Sequence, residues 1–291
     1  MPEPMIIAGA CGYGLWPTNS LEGARGCLEA PVAGIEIDVH LTADGHVVAH
    51  HDYRIAAAAS RLNGAFLETP GPLLRDATLA ELRAYDLGRL KPDSRELRRY
   101  PHKQGLDGVV MPTLPELLDL LAQAPGPKRW IFVEIKTDPA DYAESADPRA
   151  LTDAVLRDLD RAGWADRTKI IAFDWSILRD LKARRPEILT AHLTVPDAMK
   201  PQVRLNADGA SPWTDGCDPK DFEGSEAAAI AAHGGREWSP HISDVTPERV
   251  ADAKAHGLAV GVWGVSKPED FAVMTAMGAD VLTVSGPAWS A

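Results

Sequence analysis

Cysteine is scarce in this chain, and it has no long apolar run. The three cysteines, Cys11, Cys27 and Cys217, are too few and too scattered to build a disulfide framework or a thiolate metal site. No apolar run approaches the roughly 20 residues that a transmembrane helix needs. The first eight residues, Met-Pro-Glu-Pro-Met-Ile-Ile-Ala, lack the basic start and long apolar core of a signal peptide. We therefore expect a cytoplasmic protein that does not insert into membranes.

Basic residues are also in the minority. The chain has 30 Lys and Arg against 42 Asp and Glu, which gives a formal net charge of −12 at pH 7. Such a balance argues against a nucleic-acid partner and favours a small-molecule substrate. A substrate that carries phosphate would need a locally positive pocket. The composition does not indicate an oligomeric state.

Short strand-like runs alternate with amphipathic helical segments along most of the chain. This alternation predicts a single domain, residues 1–291, folded as a (β/α)₈ TIM barrel, with an open doubly wound sheet as the alternative. Residues 53–110 are too long for an ordinary connection, so we interpret them as an insertion or cap. The pattern contains nine strand candidates, and we expect 237–239 to lie outside the barrel. The candidates are 5–8, 33–38, 47–50, 130–136, 169–173, 189–194, 237–240, 259–265 and 280–284.

Two carboxylates alternate with two isoleucines in the second strand candidate. Since side chains of a strand alternate with a period of two, Glu36 and Asp38 share one face, and Ile35 and Ile37 share the other. Two neighbouring negative charges on a partly buried strand need a positive charge between them. A divalent cation is the simplest candidate.

The ends of other strands add groups of the same kind. Site residues of a barrel lie at the C-terminal ends of its strands, so Glu134 and Lys136 should join Glu36 and Asp38 on one rim. Three carboxylates suit Mg²⁺ or Ca²⁺, which prefer oxygen ligands. Lys136 is either a charge partner for the carboxylates or a second cation for an oxyanion.

Several further residues are candidates for the same rim. His51, or its neighbour His50, can transfer protons near neutral pH. Trp263 either stacks on a substrate or packs in the core, and His192 is a rim residue or a satisfied interior histidine. We expect the lysines and arginines of residues 89–103 to form a solvated face of the insertion.

Several motifs, in order along the chain, resemble the glycerophosphodiester phosphodiesterase family. The resemblance implies a (β/α)₈ barrel with an insertion near its front and a divalent cation on Glu36, Asp38 and Glu134. It also implies cleavage of a glycerophosphodiester into glycerol phosphate and an alcohol by acid–base catalysis, with His51 as one catalytic histidine. We assign Lys136 to the catalytic set and expect Trp16, Asn19 and Trp263 to contact the substrate. The motifs are Pro-Thr-Asn-Ser-Leu at 17–21, Ile-Glu-Ile-Asp-Val at 35–39, Leu-Thr-Ala-Asp-Gly at 41–45, Val-Val-Ala-His-His-Asp at 47–52, Thr-Leu-Ala-Glu-Leu at 78–82, Pro-Thr-Leu at 112–114, Val-Glu-Ile-Lys at 133–136 and Gly-Val-Trp at 261–263.

Three positions depart from that family pattern. Gly9 and Ala10 stand where the family has a catalytic His and a phosphate-binding Arg, and Thr18 replaces an acidic residue near the metal. Loss of a general acid or base typically lowers a rate by about 10²- to 10⁴-fold. Three interpretations remain open: a metal-dependent phosphodiesterase with impaired or altered activity, the same scaffold with its pocket repurposed for another reaction or ligand, and a catalytically silent binding protein.

Overall fold

A closed barrel of eight parallel strands forms the body of the protein in a computed structural model, which describes residues 3–196, 198–199 and 211–286. Its last strand pairs with its first, so the (β/α)₈ prediction is confirmed. Across those ranges, no helix has both the length and the apolar character needed to cross a membrane. The strands are β1 (Met5–Ala8), β2 (Gly34–Leu41), β3 (Val47–Ala49), β4 (Arg61–Leu62), β5 (Ala65–Phe66), β6 (Trp130–Ile135), β7 (Thr168–Ala172), β8 (Leu189–Thr194), β9 (Glu237–Pro240), β10 (Ala259–Val265) and β11 (Val281–Val284). The α-helices are α1 (Leu21–Leu28), α2 (Leu79–Leu82), α3 (Arg95–Arg99), α4 (Leu114–Gln123), α5 (Pro148–Ala162), α6 (Trp175–Arg184), α7 (Glu226–Ala232), α8 (Pro247–Ala255) and α9 (Pro268–Met277).

The ninth strand of the main sheet is β3, not β9. β9 pairs in parallel with both β8 and β10, so the expectation that residues 237–239 lie outside the barrel is wrong. β3 instead runs antiparallel to β2, with Val39 opposite Ala49. Only residues 42–46 join these two strands, which is too short for the crossover that parallel pairing requires. Around the barrel the order is β1, β2, β6, β7, β8, β9, β10, β11.

Alternation along β2 separates the apolar core from the barrel interior. Ile35 and Ile37 are fully buried in the main hydrophobic core, whereas Glu36 and Asp38 line a cavity inside the barrel mouth. β6 follows the same rule, because Ile131, Val133 and Ile135 join the core while Glu134 lines the cavity. The strand period therefore brings polar groups from different strands to the C-terminal end of the barrel.

Residues 53–110 supply most of a second, smaller hydrophobic cluster, which Val48 of β3 and Met111 complete. The segment contains the β4–β5 hairpin, α2 and α3. Thr78 and Glu81 form a capping box that begins α2, as the Thr-Leu-Ala-Glu-Leu motif favours. The division of the chain into one domain with an insertion at 53–110 stays a prediction. The cluster consists of Val48, Ile55, Leu74, Ala77, Leu82 and Met111.

A buried ion pair joins β7 to β9 inside the barrel. Lys169 Nζ lies 2.5 Å from Glu237 Oε2, and both side chains are at most 10% exposed. The ammonium also lies 4.4 Å from the ring centroid of Phe132. Burial raises the pKa of Glu237, and the charge of Lys169 offsets part of that rise. Because Lys169 pairs with it, the charged residue Glu237 can face the barrel interior at the start of β9.

Lys169→Met should therefore destabilise the protein by about 3 kcal/mol or more, because Glu237 would be left buried without its cation. A buried carboxylate with a raised pKa loses stability as the pH rises, so the loss should be larger at pH 8 than at pH 5. Urea unfolding at pH 5 and at pH 8 measures this loss of stability. The matched control is Lys128→Met, which removes an exposed pair with Asp166 and should cost less than about 1 kcal/mol. Equal effects of the two substitutions would contradict this account.

Candidate active site

Three carboxylates meet inside the mouth of the barrel. Glu36 and Asp38 project from β2 and Glu134 projects from β6, with Asp38 directly opposite Glu134 in the strand register. One ligand oxygen from each lies within 4.8 Å of the other two, and all three residues are buried. The structure thus brings together the three residues that the sequence proposes as metal ligands. We call them the carboxylate cluster.

Lys136 bridges two members of this cluster. Its ammonium lies 2.8 Å from Asp38 Oδ1 and 2.6 Å from Glu134 Oε1. Burial alone would raise the pKa of Asp38, but the Lys136 charge outweighs it and holds that pKa below its usual range. Burial would lower the pKa of Lys136, yet the two carboxylates raise it above its ordinary value. Lys136 is therefore the charge partner of the cluster, the first of the two roles considered for it.

Among the residues that the structure describes, none forms an ion pair with Glu36. Burial, followed by the charges of Asp38 and Glu134, raises its pKa well above the ordinary value, and a hydrogen bond donated by the Ala10 N–H at 2.7 Å offsets only part of this. With all three carboxylates ionised and Lys136 protonated, the group carries two net negative charges. Its ligand atoms are all oxygens, so the donor set fits a divalent cation of the Mg²⁺ or Ca²⁺ type.

Asn19 and Trp16 do not occupy the positions expected of substrate contacts. Asn19 is buried, and its Nδ2 donates to Asp38 Oδ2 at 2.8 Å while its Oδ1 accepts from the Asp38 N–H at 3.1 Å. It therefore orients a carboxylate. Trp16 packs against Gly26 of α1, where any side chain would collide with the indole ring. Neither residue lines the cavity that contains the cluster.

His51 and Trp263 do line that cavity, which has a volume of about 320 Å³. His51 Nδ1 lies 2.7 Å from Asp52 Oδ1, and this hydrogen bond is the main reason that the pKa of Asp52 is lowered. A carboxylate on Nδ1 leaves Nε2 available for proton transfer. His50 lies outside this cavity, with its Nε2 3.3 Å from the Arg54 carbonyl oxygen.

His192 faces away from the site. It packs edge-to-face on Trp175 of α6, and its Nε2 lies 2.9 Å from His233 Nδ1. The prediction that His192 is a rim residue is therefore wrong. The alternative, an interior histidine, is confirmed. Cys11 is fully buried, and burial raises the pKa of its thiol, so it offers no nucleophile to the cavity.

The three positions expected to depart from the family pattern do not all line the cavity. Gly9 and Ala10 line it and bring no charge to it, whereas Thr18 lies outside it. The Thr18 hydroxyl accepts a hydrogen bond from Lys103 Nζ at 2.8 Å. Lys103 is buried against Glu96 at 2.6 Å, so the expectation of a wholly solvated basic face across 89–103 is wrong there.

Sequence reasoning also missed two residues that line the cavity, Arg99 at the end of α3 and His241 just after β9. Placement of Arg99 depends on how the insertion packs over the barrel, and no local sequence signal reports that packing. For His241 a signal existed. Once β9 counts as a barrel strand, His241 follows its C-terminal end, where site residues are expected.

Glu36→Gln should raise the Tm of the metal-free protein at pH 8 by a few degrees, because it removes one of three crowded negative charges. Because the pKa of Glu36 is raised in the folded protein, this residue lowers stability progressively as the pH rises above the ordinary pKa of a glutamate, so the advantage should vanish near pH 4. Thermal unfolding in EDTA at pH 8 and at pH 4 measures the difference in Tm between the variant and the unaltered protein. The same variant should lose most of the Tm increase that Mg²⁺ or Ca²⁺ gives the unaltered protein.

Glu68→Gln, on an exposed residue of the insertion, is the matched control and should leave both Tm values unchanged. If the Glu36→Gln protein has a lower Tm than the unaltered one at pH 8 in EDTA, repulsion within the cluster does not destabilise the metal-free protein.

Comparison with known proteins agrees with this geometry. The model of the glycerophosphoryl diester phosphodiesterase family matches residues 12–287. A protein of Silicibacter pomeroyi DSS-3 that is assigned as a glycerophosphoryl diester phosphodiesterase has a solved structure with a TM-score of 0.85 and 32% sequence identity, covering 100% of this chain and 93% of that one. The glycerophosphodiester phosphodiesterase of Caldanaerobacter subterraneus subsp. tengcongensis is 24% identical over 93% of this chain and 89% of its own length.

A phosphodiesterase of Oleispira antarctica, solved in complex with its product sn-glycerol-3-phosphate, is similar in fold. Its TM-score is 0.70 at 20% identity, with 98% of this chain and 94% of that one covered. The family match extends over nearly the whole chain and includes the carboxylate cluster and His51. The chain belongs to the glycerophosphoryl diester phosphodiesterase family.

Proposed function

We propose that this protein hydrolyses glycerophosphodiesters to glycerol phosphate and an alcohol. One observation carries the proposal: His51 and the carboxylate cluster line the same cavity at the catalytic end of the barrel. The match to a phosphodiesterase family over residues 12–287 supports hydrolysis rather than a repurposed pocket or a silent binding protein. A cytoplasmic location stays a prediction from the N-terminal sequence.

Glu36, Asp38 and Glu134 would hold the divalent cation, for which we propose Mg²⁺ or Ca²⁺. When bound, such a cation supplies Lewis-acid polarisation of phosphoryl oxygens. The ammonium of Lys136 offsets the negative charges of Asp38 and Glu134 through its contacts at 2.8 and 2.6 Å. Asn19 holds Asp38 in place from the other side. These two side chains thus preorganise the oxygen ligands.

His51 is the proton-transfer group that the cavity retains. Asp52 accepts from its Nδ1 and fixes the tautomer in which Nε2 exchanges a proton with the reacting oxygen. Hydrolysis requires a proton to leave the attacking oxygen and a proton to reach the departing alcohol. With Gly9 in place of a second catalytic His, we propose that one of these transfers is left to solvent and that the rate is reduced accordingly.

The direct test measures release of glycerol phosphate from glycerophosphocholine, with Mg²⁺ or Ca²⁺ and with EDTA. His51→Asn should lower kcat by about 10²- to 10⁴-fold, because it removes the remaining imidazole acid–base group at that position. His46→Asn, on an exposed histidine of the β2–β3 turn, is the control and should keep full activity. No release of glycerol phosphate by the folded protein with either cation would overturn the proposed hydrolysis. Turnover that is unaffected by both EDTA and His51→Asn would overturn the proposed roles of the cation and of His51.

Restoring the family residues should increase activity. We expect the double variant Gly9→His, Ala10→Arg to raise kcat by at least about tenfold, since it restores an acid–base group and a bidentate phosphate ligand. A Cβ at position 9 would lie 3.1 Å from Thr283 Cγ2, so that side chain must shift slightly. Gly9→Ala adds only this Cβ and is the matched control, with no gain expected. No gain in the correctly folded double variant would show that these positions do not limit the rate.

A further inference from the structure

The cavity is also lined by two residues that the proposed chemistry does not use, Arg99 and His241. His241 follows β9, which lies four strands away from β2 in the ring of eight, and therefore on the opposite side of the barrel. Arg99 reaches the same cavity from the end of α3 in the insertion. We call this pair the Arg99–His241 wall.

Arg99 is an available cation. Within the described ranges Arg99 forms no ion pair. Its guanidinium carbon lies 5.3 Å from the ring centroid of Tyr100. Lys136 also lines the cavity, but Asp38 and Glu134 already occupy its ammonium. The charge of Arg99 is therefore left to act on whatever enters the cavity.

His241 is held as a hydrogen-bond donor. Its Nδ1 accepts from the Ser243 backbone N–H at 3.1 Å, so in the neutral ring the hydrogen lies on Nε2. Burial lowers the pKa of His241 and the nearby charge of Arg99 lowers it further, which keeps the ring neutral. In the described part of the chain, Nε2 has no hydrogen-bond partner.

The backbone of β10 is shaped to admit this ring. Gly264 has a φ of +81°, and a Cβ there would lie 2.7 Å from His241 Nε2 and Cδ2. The pairing of β10 with β11 shifts register between Val262 and Val265, which is a local irregularity of the strand. The indole of Trp263 then packs edge-to-face on the imidazole, with ring centroids 4.6 Å apart. Two neighbours thus fix the position of His241.

We propose that the Arg99–His241 wall binds the phosphoryl oxygens of the substrate, an inference that rests on the proposed phosphodiesterase function. Three carboxylates repel an anion that approaches them. Gly9 and Ala10, which also line the cavity, provide no cation to offset this repulsion. A guanidinium can make two parallel hydrogen bonds to a phosphoryl group, and the His241 N–H adds a third. The insertion therefore contributes to anion binding directly.

Titration calorimetry with sn-glycerol 3-phosphate and with inorganic phosphate, in the presence of Mg²⁺, tests the wall without turnover. Arg99→Ala should weaken binding of both by at least about tenfold, the effect of losing a charge-assisted hydrogen bond. Arg99→Lys should retain part of the affinity, and His241→Ala should weaken binding less than Arg99→Ala does.

Arg98→Ala and His102→Ala are the matched controls, because they remove the same residue types from exposed positions of the same segment and should change affinity less than twofold. Affinity in Arg99→Ala equal to that of the unaltered protein, or no phosphate binding by the unaltered protein, overturns the inference.

The hydrolysis assay on the same variants separates this inference from the proposed function. Binding that depends on Arg99 without any diester hydrolysis would support the wall and count against the phosphodiesterase activity. Hydrolysis that is unchanged in Arg99→Ala would support the activity and count against the wall. If both hold, Arg99→Ala should raise KM for glycerophosphocholine by the factor seen in calorimetry.

Discussion

The buried ammonium of Lys136 is the contact on which the site depends. Without it, three carboxylates would crowd one end of the barrel at a large cost, since buried charges are tolerated only when paired. Lys136 neutralises part of that charge, and Asn19 adds two hydrogen bonds to Asp38. The protein can therefore fold with most of the repulsion offset, while the remaining excess of negative charge makes the mouth a place for a cation.

A second buried pair, Lys169 with Glu237, joins β7 to β9 inside the barrel. Glu237 lines the same cavity as the carboxylate cluster. The insertion adds two cations, Lys103, which pairs with Glu96, and Arg99, which lines the cavity. If Arg99 binds the anion as proposed, anion binding and support of the carboxylates belong to different parts of the chain.

Sequence reasoning reached what depends on strand periodicity. The shared face of Glu36 and Asp38 and the inward position of Glu134 follow directly from the period of two. It misassigned β9 because this strand is short and its inward residues, Glu237 and Ser239, are polar. The five-residue turn before β3 was the missed signal, since it permits only an antiparallel partner.

What the sequence did not provide were contacts between distant segments. Lys103 meets Thr18 across 85 residues, and Asn19 meets Asp38 through a bend in the loop after β1 rather than through any repeating pattern. Local propensity carries no information on such pairs, because they arise only when the insertion and the first loop pack on the finished barrel. The positions of the carboxylate cluster were therefore easier to predict than those of the residues contributed by the loops and the insertion.

Ala10, Cys11 and Gly12 adopt left-handed backbone, with φ values of 43°, 58° and 77°. The first two bear a Cβ, and each costs about 1–2 kcal/mol in this region. Backbone contacts hold the bend: the Ala10 N–H bonds Glu36, and the amides of Gly12 and Tyr13 both donate to the Gly9 carbonyl oxygen. Since these contacts do not involve the side chains of residues 9 and 10, the bend can persist while those residues change. Such a loop is a place where evolution can exchange chemical groups without rebuilding the barrel around them.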